Sequence, residues 1–158
     1  MPALLKDIRT RMRQFPRDPR QYPALRVRKG TLEAHASPSI KSLTYKGIID
    51  GETDDYLTMV QFFDVDFSET KDAEHPLEVL LEPDKSIFYK APSIASNQVT
   101  LKCGCPDFRF RWEKPNYDSG ALIGRWRPYT RKTPAPPVGR PYANPFELPG
   151  FCKHVYAL

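Results

Sequence analysis

Residues 42–67 read SLTYKGIIDGETDDYLTMVQFFDVDF. The stretches SLTYKGIID and YLTMVQFFDVDF are rich in β-branched and aromatic residues. DGETDD between them supplies turn residues, so the segment predicts a β-hairpin. A hairpin at the centre of 158 residues sets the fold class, and the flanks extend it. Upstream, ALRVRKG (24–30) alternates Leu25 and Val27 against Arg26 and Arg28, the period of a strand. Downstream, PLEVLLEP, KSIFYKAP and NQVTLKC predict three further short strands. The expected architecture is mainly β, an antiparallel meander over residues 23–102.

Two flanks depart from that period. In ALLKDIRTRMRQF (3–15), Leu5, Ile8, Met12 and Phe15 form one narrow apolar stripe of a short helix, with Arg9, Arg11 and Arg13 off it. Pro16 and Pro19 stop the helix, and an extended arm follows to residue 22. A stripe this narrow suits docking on a protein surface. From Pro115 to Gly150 regular structure is hard to find, and seven prolines fall between residues 128 and 149. The expected division is a basic helix and arm (1–22), a β domain (23–102) and a C-terminal module (103–158).

The three cysteines fall in two tight pairs. Cys103 and Cys105 precede residues 106–151, and Cys152 then lies two residues before His154. Side chains at i and i+2 of an extended segment point to one side, so each pair can present two donors to one point. Three thiolates and an imidazole satisfy a tetrahedral zinc ion and leave no place for water, which argues for a structural ion rather than hydrolysis. An iron–sulfur cluster is the alternative, and ordinary buried cysteines a third reading. Cys103 and Cys105 are too close for an easy mutual disulfide. In either metal reading the proline-rich loop is stapled at both ends.

This C-x-C, long spacer, C-x-H pattern ahead of a short apolar turn resembles the SWIM-type zinc finger. That resemblance implies that Cys103, Cys105, Cys152 and His154 are the ligands, the first pair leaving a β-hairpin and the second entering a helix. The spacer here is longer and richer in proline than that family's, and only four residues follow His154. The longer string CGCPDFRFRW…RKTPAPPVGRPYANP…PGFCKH, behind a β meander, also resembles uncharacterised structural proteins of tailed-phage particles. This second resemblance implies a virion component of a contractile tail or baseplate, assembled in the host cytoplasm.

Charge is segregated along the chain: +7 over residues 1–30, −8 over 31–100 and +6 over 101–158. Such asymmetry suits surfaces that meet different partners. In PDFRFRW an extended backbone would place Phe108, Phe110 and Trp112 on one face, shielding the metal site or, less well, stacking bases. Arg125, Trp126, Arg127, Tyr129, Arg131 and Lys132 form a basic aromatic run suited to a protein contact. His35 and His75 are expected in turns. No run of residues is apolar or long enough to span a bilayer, and the basic N-terminus lacks a secretory signal's apolar stretch, so a soluble, cytoplasmic-type protein is expected. No phosphate-binding glycine loop, Ser/His/Asp set or acid pair is present. The leading expectation is a non-enzymatic assembly protein docking other structural proteins. A zinc-dependent nucleic-acid binder is the alternative, and the −8 middle segment counts against it.

Overall fold

Strand β8 (Gln98–Cys103) organises the molecule, because its buried residues Val99, Thr100, Leu101 and Cys103 require neighbours on both edges. The computed structural model describes residues 3–4, 6–8, 31–50, 54–93, 95–128 and 148–158. In chain order the other strands are β1 (Ala3–Leu4), β2 (Leu32–Ser37), β3 (Ser42–Asp50), β4 (Asp55–Phe62), β5 (Phe67–Ser68), β6 (Leu77–Glu82) and β7 (Lys85–Tyr89). They form a five-stranded sheet in the order β1-β8-β4-β3-β2 and a three-stranded sheet in the order β5-β7-β6. Every strand pairing is antiparallel, as the sequence predicts.

The central hairpin is β3–β4, in register from Leu43↔Phe62 to Asp50↔Asp55. Its inward face carries Leu43, Ile49 and Val60, and its outward face Thr44, Lys46 and Ile48. The chain departs from a simple meander after β4: β5 starts a second sheet, in which it pairs with β7 rather than with β6. β8 does not join the second sheet but returns to β4, with Thr58 opposite Cys103 and Phe62 opposite Val99. On its other edge β1 pairs with Val99 and Gln98. Further along, Leu101 donates to the Ala121 carbonyl (2.8 Å) and accepts from the Ile123 amide (3.0 Å). Segments far apart in sequence thus satisfy the ladder of one buried strand.

Three expectations are corrected here. The helix expected over 3–15 begins instead as β1, followed by one helical turn at residues 6–8, and residues 9–15 lie outside the described residues. The reason is the open edge of β8, which the first residues fill. Ile8, a member of the expected stripe, is fully buried in this chain's own core rather than offered to a neighbour. His35 lies on β2 and not in a turn. The inward members of that strand are only Ala34 and Ala36, too small to announce it, and the strand expected at 24–30 lies outside the described residues.

The third correction concerns PDFRFRW, which is helical rather than extended. Helical backbone starts at Pro106, widens into a π-type turn at Phe108–Trp112 and continues as α1 (Glu113–Asp118). Phe108 and Trp112, four residues apart, point inward, whereas Phe110 is 56% exposed. Pro115 accounts for the widening: it has no N–H to close an ordinary turn, and the Glu113 amide reaches back to the Phe108 carbonyl. α1 also runs into the segment from Pro115 whose sequence predicts no regular structure, and Gly120, at φ 72°, closes it in the left-handed conformation that glycine takes freely.

The core has two parts. One sits between the sheets around Leu43, Val79 and Ile87, where the Tyr45 and Tyr89 hydroxyls meet at 3.0 Å. The other gathers Ile8, Val60 and Leu101 with the three cysteines, Phe108 and Trp112. Phe62 packs against both.

Gly47 on β3 shows how closely the far C-terminal residues are fitted to the sheet. A Cβ there would lie 2.7 Å from Leu158 Cδ1 and 2.8 Å from the Thr31 carbonyl oxygen. The backbone oxygen cannot swing aside as a side chain can. Gly47→Ala is therefore expected to cost about 1–3 kcal/mol by overpacking, read as a lower urea midpoint at unchanged slope. An unchanged midpoint would contradict this packing.

The loop before β6 is held by His75. Its Nδ1 lies 2.9 Å from Asp72 Oδ1 and its Nε2 3.3 Å from Asp66 Oδ2, while Asp72 also accepts the Glu74 and His75 amides, each at 2.8 Å. Hydrogen bonds from His75 hold the Asp72 carboxyl below its usual range, and the bond to Asp72 raises the His75 imidazole above its own. A raised histidine contributes stability below its unfolded pKa and loses it as pH rises through the folded one. A depressed aspartate contributes above its unfolded pKa and loses that as pH falls. Both contributions are present between about pH 4 and 6.5. The melting-temperature gap between wild type and His75→Ala should be widest in that window and narrow by about pH 9; a gap independent of pH would refute the latch.

Candidate metal centre

Cys103 is the last residue of β8, and Gly104 turns the chain with its amide on the Leu57 carbonyl (3.0 Å). Cys105 then stands immediately before the helical backbone that starts at Pro106. At the far end, Cys152 caps α2 (Lys153–Ala157), which carries His154 in its first turn. The four donor atoms lie within 4.8 Å of one another, and His154 Nδ1 is 3.9 Å from both Cys103 Sγ and Cys152 Sγ. A tetrahedral ion with bonds of about 2.3 Å to sulfur and 2.0–2.1 Å to nitrogen holds its donors roughly 3.6–3.8 Å apart. The two His154–sulfur separations lie close to that spacing, and the widest donor pair would draw in by up to about 1 Å to meet it.

The surroundings favour thiolates. Cys103 Sγ accepts from the Thr58 hydroxyl (3.4 Å) and the Cys105 amide (3.5 Å), and Cys105 Sγ accepts from the Phe108 amide (3.3 Å) at the helix start. Donors aimed at sulfur stabilise its ionised form, the form a metal requires. Without a cation, three thiols this close cannot all ionise. Hydrogen bonds from Cys105 and Cys152 pull Cys103 down to about 2, and donating those bonds pushes Cys105 up to about 12 and Cys152 upward as well. A divalent cation is the partner that would let the remaining protons leave. The histidine agrees: Nε2 is buried with no hydrogen-bond partner among the described residues, so the ring's polar contacts run through Nδ1 to the sulfurs. Tyr56 packs against the imidazole at 4.9 Å between ring centres.

All four ligand residues are at most 5% exposed, and Phe108, Trp112, Val155 and Ile8 wall the cluster in. The aromatic shielding expected from PDFRFRW is therefore present, delivered by a helix instead of a strand. Such a centre can hold an ion and fasten chain segments together. Among the described residues it is the one group of three or more Cys, His, Asp or Glu side chains able to share an ion.

One supporting residue escaped sequence reasoning. Asn116 on α1 is fully buried and pairs with Gly150 twice: Nδ2 donates to the Gly150 carbonyl (2.7 Å), and the Gly150 amide donates to Oδ1 (3.0 Å). This pairing fixes the backbone two residues before Cys152. Only its place inside KPNYDSG, a segment read as irregular, hid it.

The expected contact run is resolved in part. Arg125 and Arg127 are exposed, whereas Trp126 folds back on α1, its ring 6.4 Å from Tyr117 and beneath Lys114 Nζ at 5.9 Å. Tyr129, Arg131 and Lys132, and likewise Arg9, Arg11 and Arg13, lie outside the described residues. No helix among the described residues is long and apolar enough to cross a membrane. Comparison with known proteins finds no matching family model, no matching curated protein and no matching solved structure.

Proposed function

We propose that this chain is a non-enzymatic assembly protein whose C-terminal third is closed by a structural zinc ion. The observation that supports this most is the burial of all four Cys3His donors in one apolar core. Zinc fits that donor set as a tetrahedral N/S ion without redox demands, and its chemistry here would be cross-linking alone. Cys103 and Cys105 hold the β8 end, Cys152 and His154 hold α2, and Asn116 aligns the second pair. The charge pattern of the sequence suits docking, a −8 segment against +7 and +6 flanks. The resemblance to tailed-phage particle proteins is the ground for placing the assembly in a virion, at its tail or baseplate.

The nucleic-acid reading has one structural observation in its favour, the exposed Arg125 and Arg127 beside the Trp126–Tyr117 ring contact. Salt separates the two. A binder neutralising 6–10 phosphates loses roughly 10³–10⁵ in affinity between 50 and 200 mM salt. The assembly protein should bind DNA and RNA weakly at near-physiological salt, and its peptides should be recovered by mass spectrometry from purified particles. Tight nucleic-acid binding at that salt, with particles lacking the chain, would reverse the assignment.

A further inference from the structure

Two exposed surfaces of opposite charge are left over once the metal centre is explained. The first is the outer face of β6, where Glu78 and Leu80 flank the inward Val79, and a bulge after Leu80 ends the alternation with Glu82 exposed beside it. Leu80 is 65% exposed, and the register sets Phe88 opposite Glu78 on the same face. Residues 64–90 carry eight acids and three lysines, all of them exposed, for a net −5. The second surface surrounds α1. Tyr117 is half exposed and its ring lies tilted beside that of Trp126, flanked by the exposed Arg125 and Arg127. Residues 102–127 carry six cations against three acids, net +3. Two of those acids are engaged locally, Asp107 with Arg111 (3.2 Å) and Asp118 with Lys114 (2.6 Å), and the third, Glu113, sits among Arg109, Lys102 and Arg127.

Each surface thus has an apolar centre with a charged rim, the anatomy of a protein interface, and the two rims are of opposite sign. Their places in the fold matter as much as their charge. β6 packs beside β2, the strand at one edge of the five-stranded sheet, while α1 follows β8 towards the opposite edge. Like charges at either surface disfavour a contact of that surface with itself.

We infer that the acid-rimmed Leu80 face of one copy docks on the basic Trp126–Tyr117 face of the next, a head-to-tail contact between copies of this chain. The inference rests on the assembly reading and names one of its partners. A head-to-tail contact leaves one free acidic and one free basic face on every dimer, so it grows into a ring or a filament rather than stopping at two. The opposed charges set orientation and association rate, and the Leu80–Trp126 contact excludes water.

Complementing charge reversals on the metal-loaded full chain test this. Arg125→Glu/Arg127→Glu removes the basic face and keeps the acidic one, and Glu78→Lys/Glu82→Lys does the reverse. In sedimentation at about 0.05 M salt, wild type should form species larger than dimers that dissociate near 0.5 M, where charges are screened within a few ångströms. Each double variant should associate at least about tenfold more weakly while keeping wild-type metal content and melting temperature. Mixed in equal amounts, they should associate as neither does alone, because an intact acidic face then meets an intact basic one. Leu80→Ala should weaken association and leave its salt dependence unchanged. A monomeric wild type at all salts, a mixture that fails to pair, or Arg125→Glu/Arg127→Glu losing only nucleic-acid binding would overturn the inference. If that failure came with the chain still present in purified particles, self-docking alone would be discarded and the assembly reading would stand.

Discussion

Cys152→Ser protein is expected to lose its stoichiometric metal and to melt at least about 10 °C below wild type. Apparent binding energies of structural zinc in finger peptides are about 10–16 kcal/mol at neutral pH, comparable to the whole stability of a typical domain at about 5–15 kcal/mol. Losing even about 4 kcal/mol lowers the melting temperature by roughly 8–16 °C at this chain length. The damage should spread from the staple outward. Residues 113–158 should become sensitive to protease first, since the staple would no longer close the chain between Cys105 and Cys152. β4 and β8 should follow, because Val60 and Leu101 share a core with the ligands. The three-stranded sheet rests on its separate cluster around Val79 and Ile87 and should be protected longest. Metal analysis, a thermal melt and timed proteolysis read the three stages. A variant with one metal equivalent, or with unchanged melting and cleavage, would show that the cluster fastens nothing.

Trp112→Ala is expected to cost about 3–5 kcal/mol, the usual range for removing a large aromatic from a core, because Trp112 is 1% exposed. Phe110→Ala, two residues earlier, should fall within about 0.5 kcal/mol of wild type, its ring being more than half exposed. The contrast tests the backbone conformation itself. On a strand both side chains would share a face and both losses would be large. On the helical turn Trp112 faces the metal cluster and Phe110 faces solvent. The Trp112 variant should also release its metal faster to a chelator, since the ring helps to exclude water from the thiolates. Urea unfolding of the metal-loaded proteins measures the first effect and chelator kinetics the second. Equal costs at the two positions would restore the extended reading.

The Cys3His cluster was legible because its chemistry is local. Two i,i+2 pairs hold every cysteine of the chain, and no packing detail is needed to see that their donors could converge. The β3–β4 hairpin was legible for a similar reason, its alternation and turn lying within one continuous stretch. What failed depended on distant segments. The strand at 3–4 exists because β8 has an edge to fill, and nothing near Ala3 states that. PDFRFRW alternates as a strand does, yet Pro106 and Pro115 set a helical path whose inward positions are four apart. β2 turns only alanines inward, leaving almost no hydrophobic signal. Asn116 became meaningful only when Gly150 was seen beside it.

The buried cluster around β8 also has a consequence in time. It contains Ile8 from the beginning of the chain, Leu101 from the middle, and Cys152 and Val155 from near the end. Contacts so distant in sequence make folding slow, since each closes a long loop before it gains stabilisation. During synthesis the growing chain carries Ile8, Val60 and Leu101 without their last partners until residues 152–155 have emerged. The hairpin β3–β4 and the three-stranded sheet can form early, but the half of the core that holds the ligands must wait. Its nascent form exposes apolar surface and unburied thiols throughout that interval, the state in which a growing chain is most prone to aggregate.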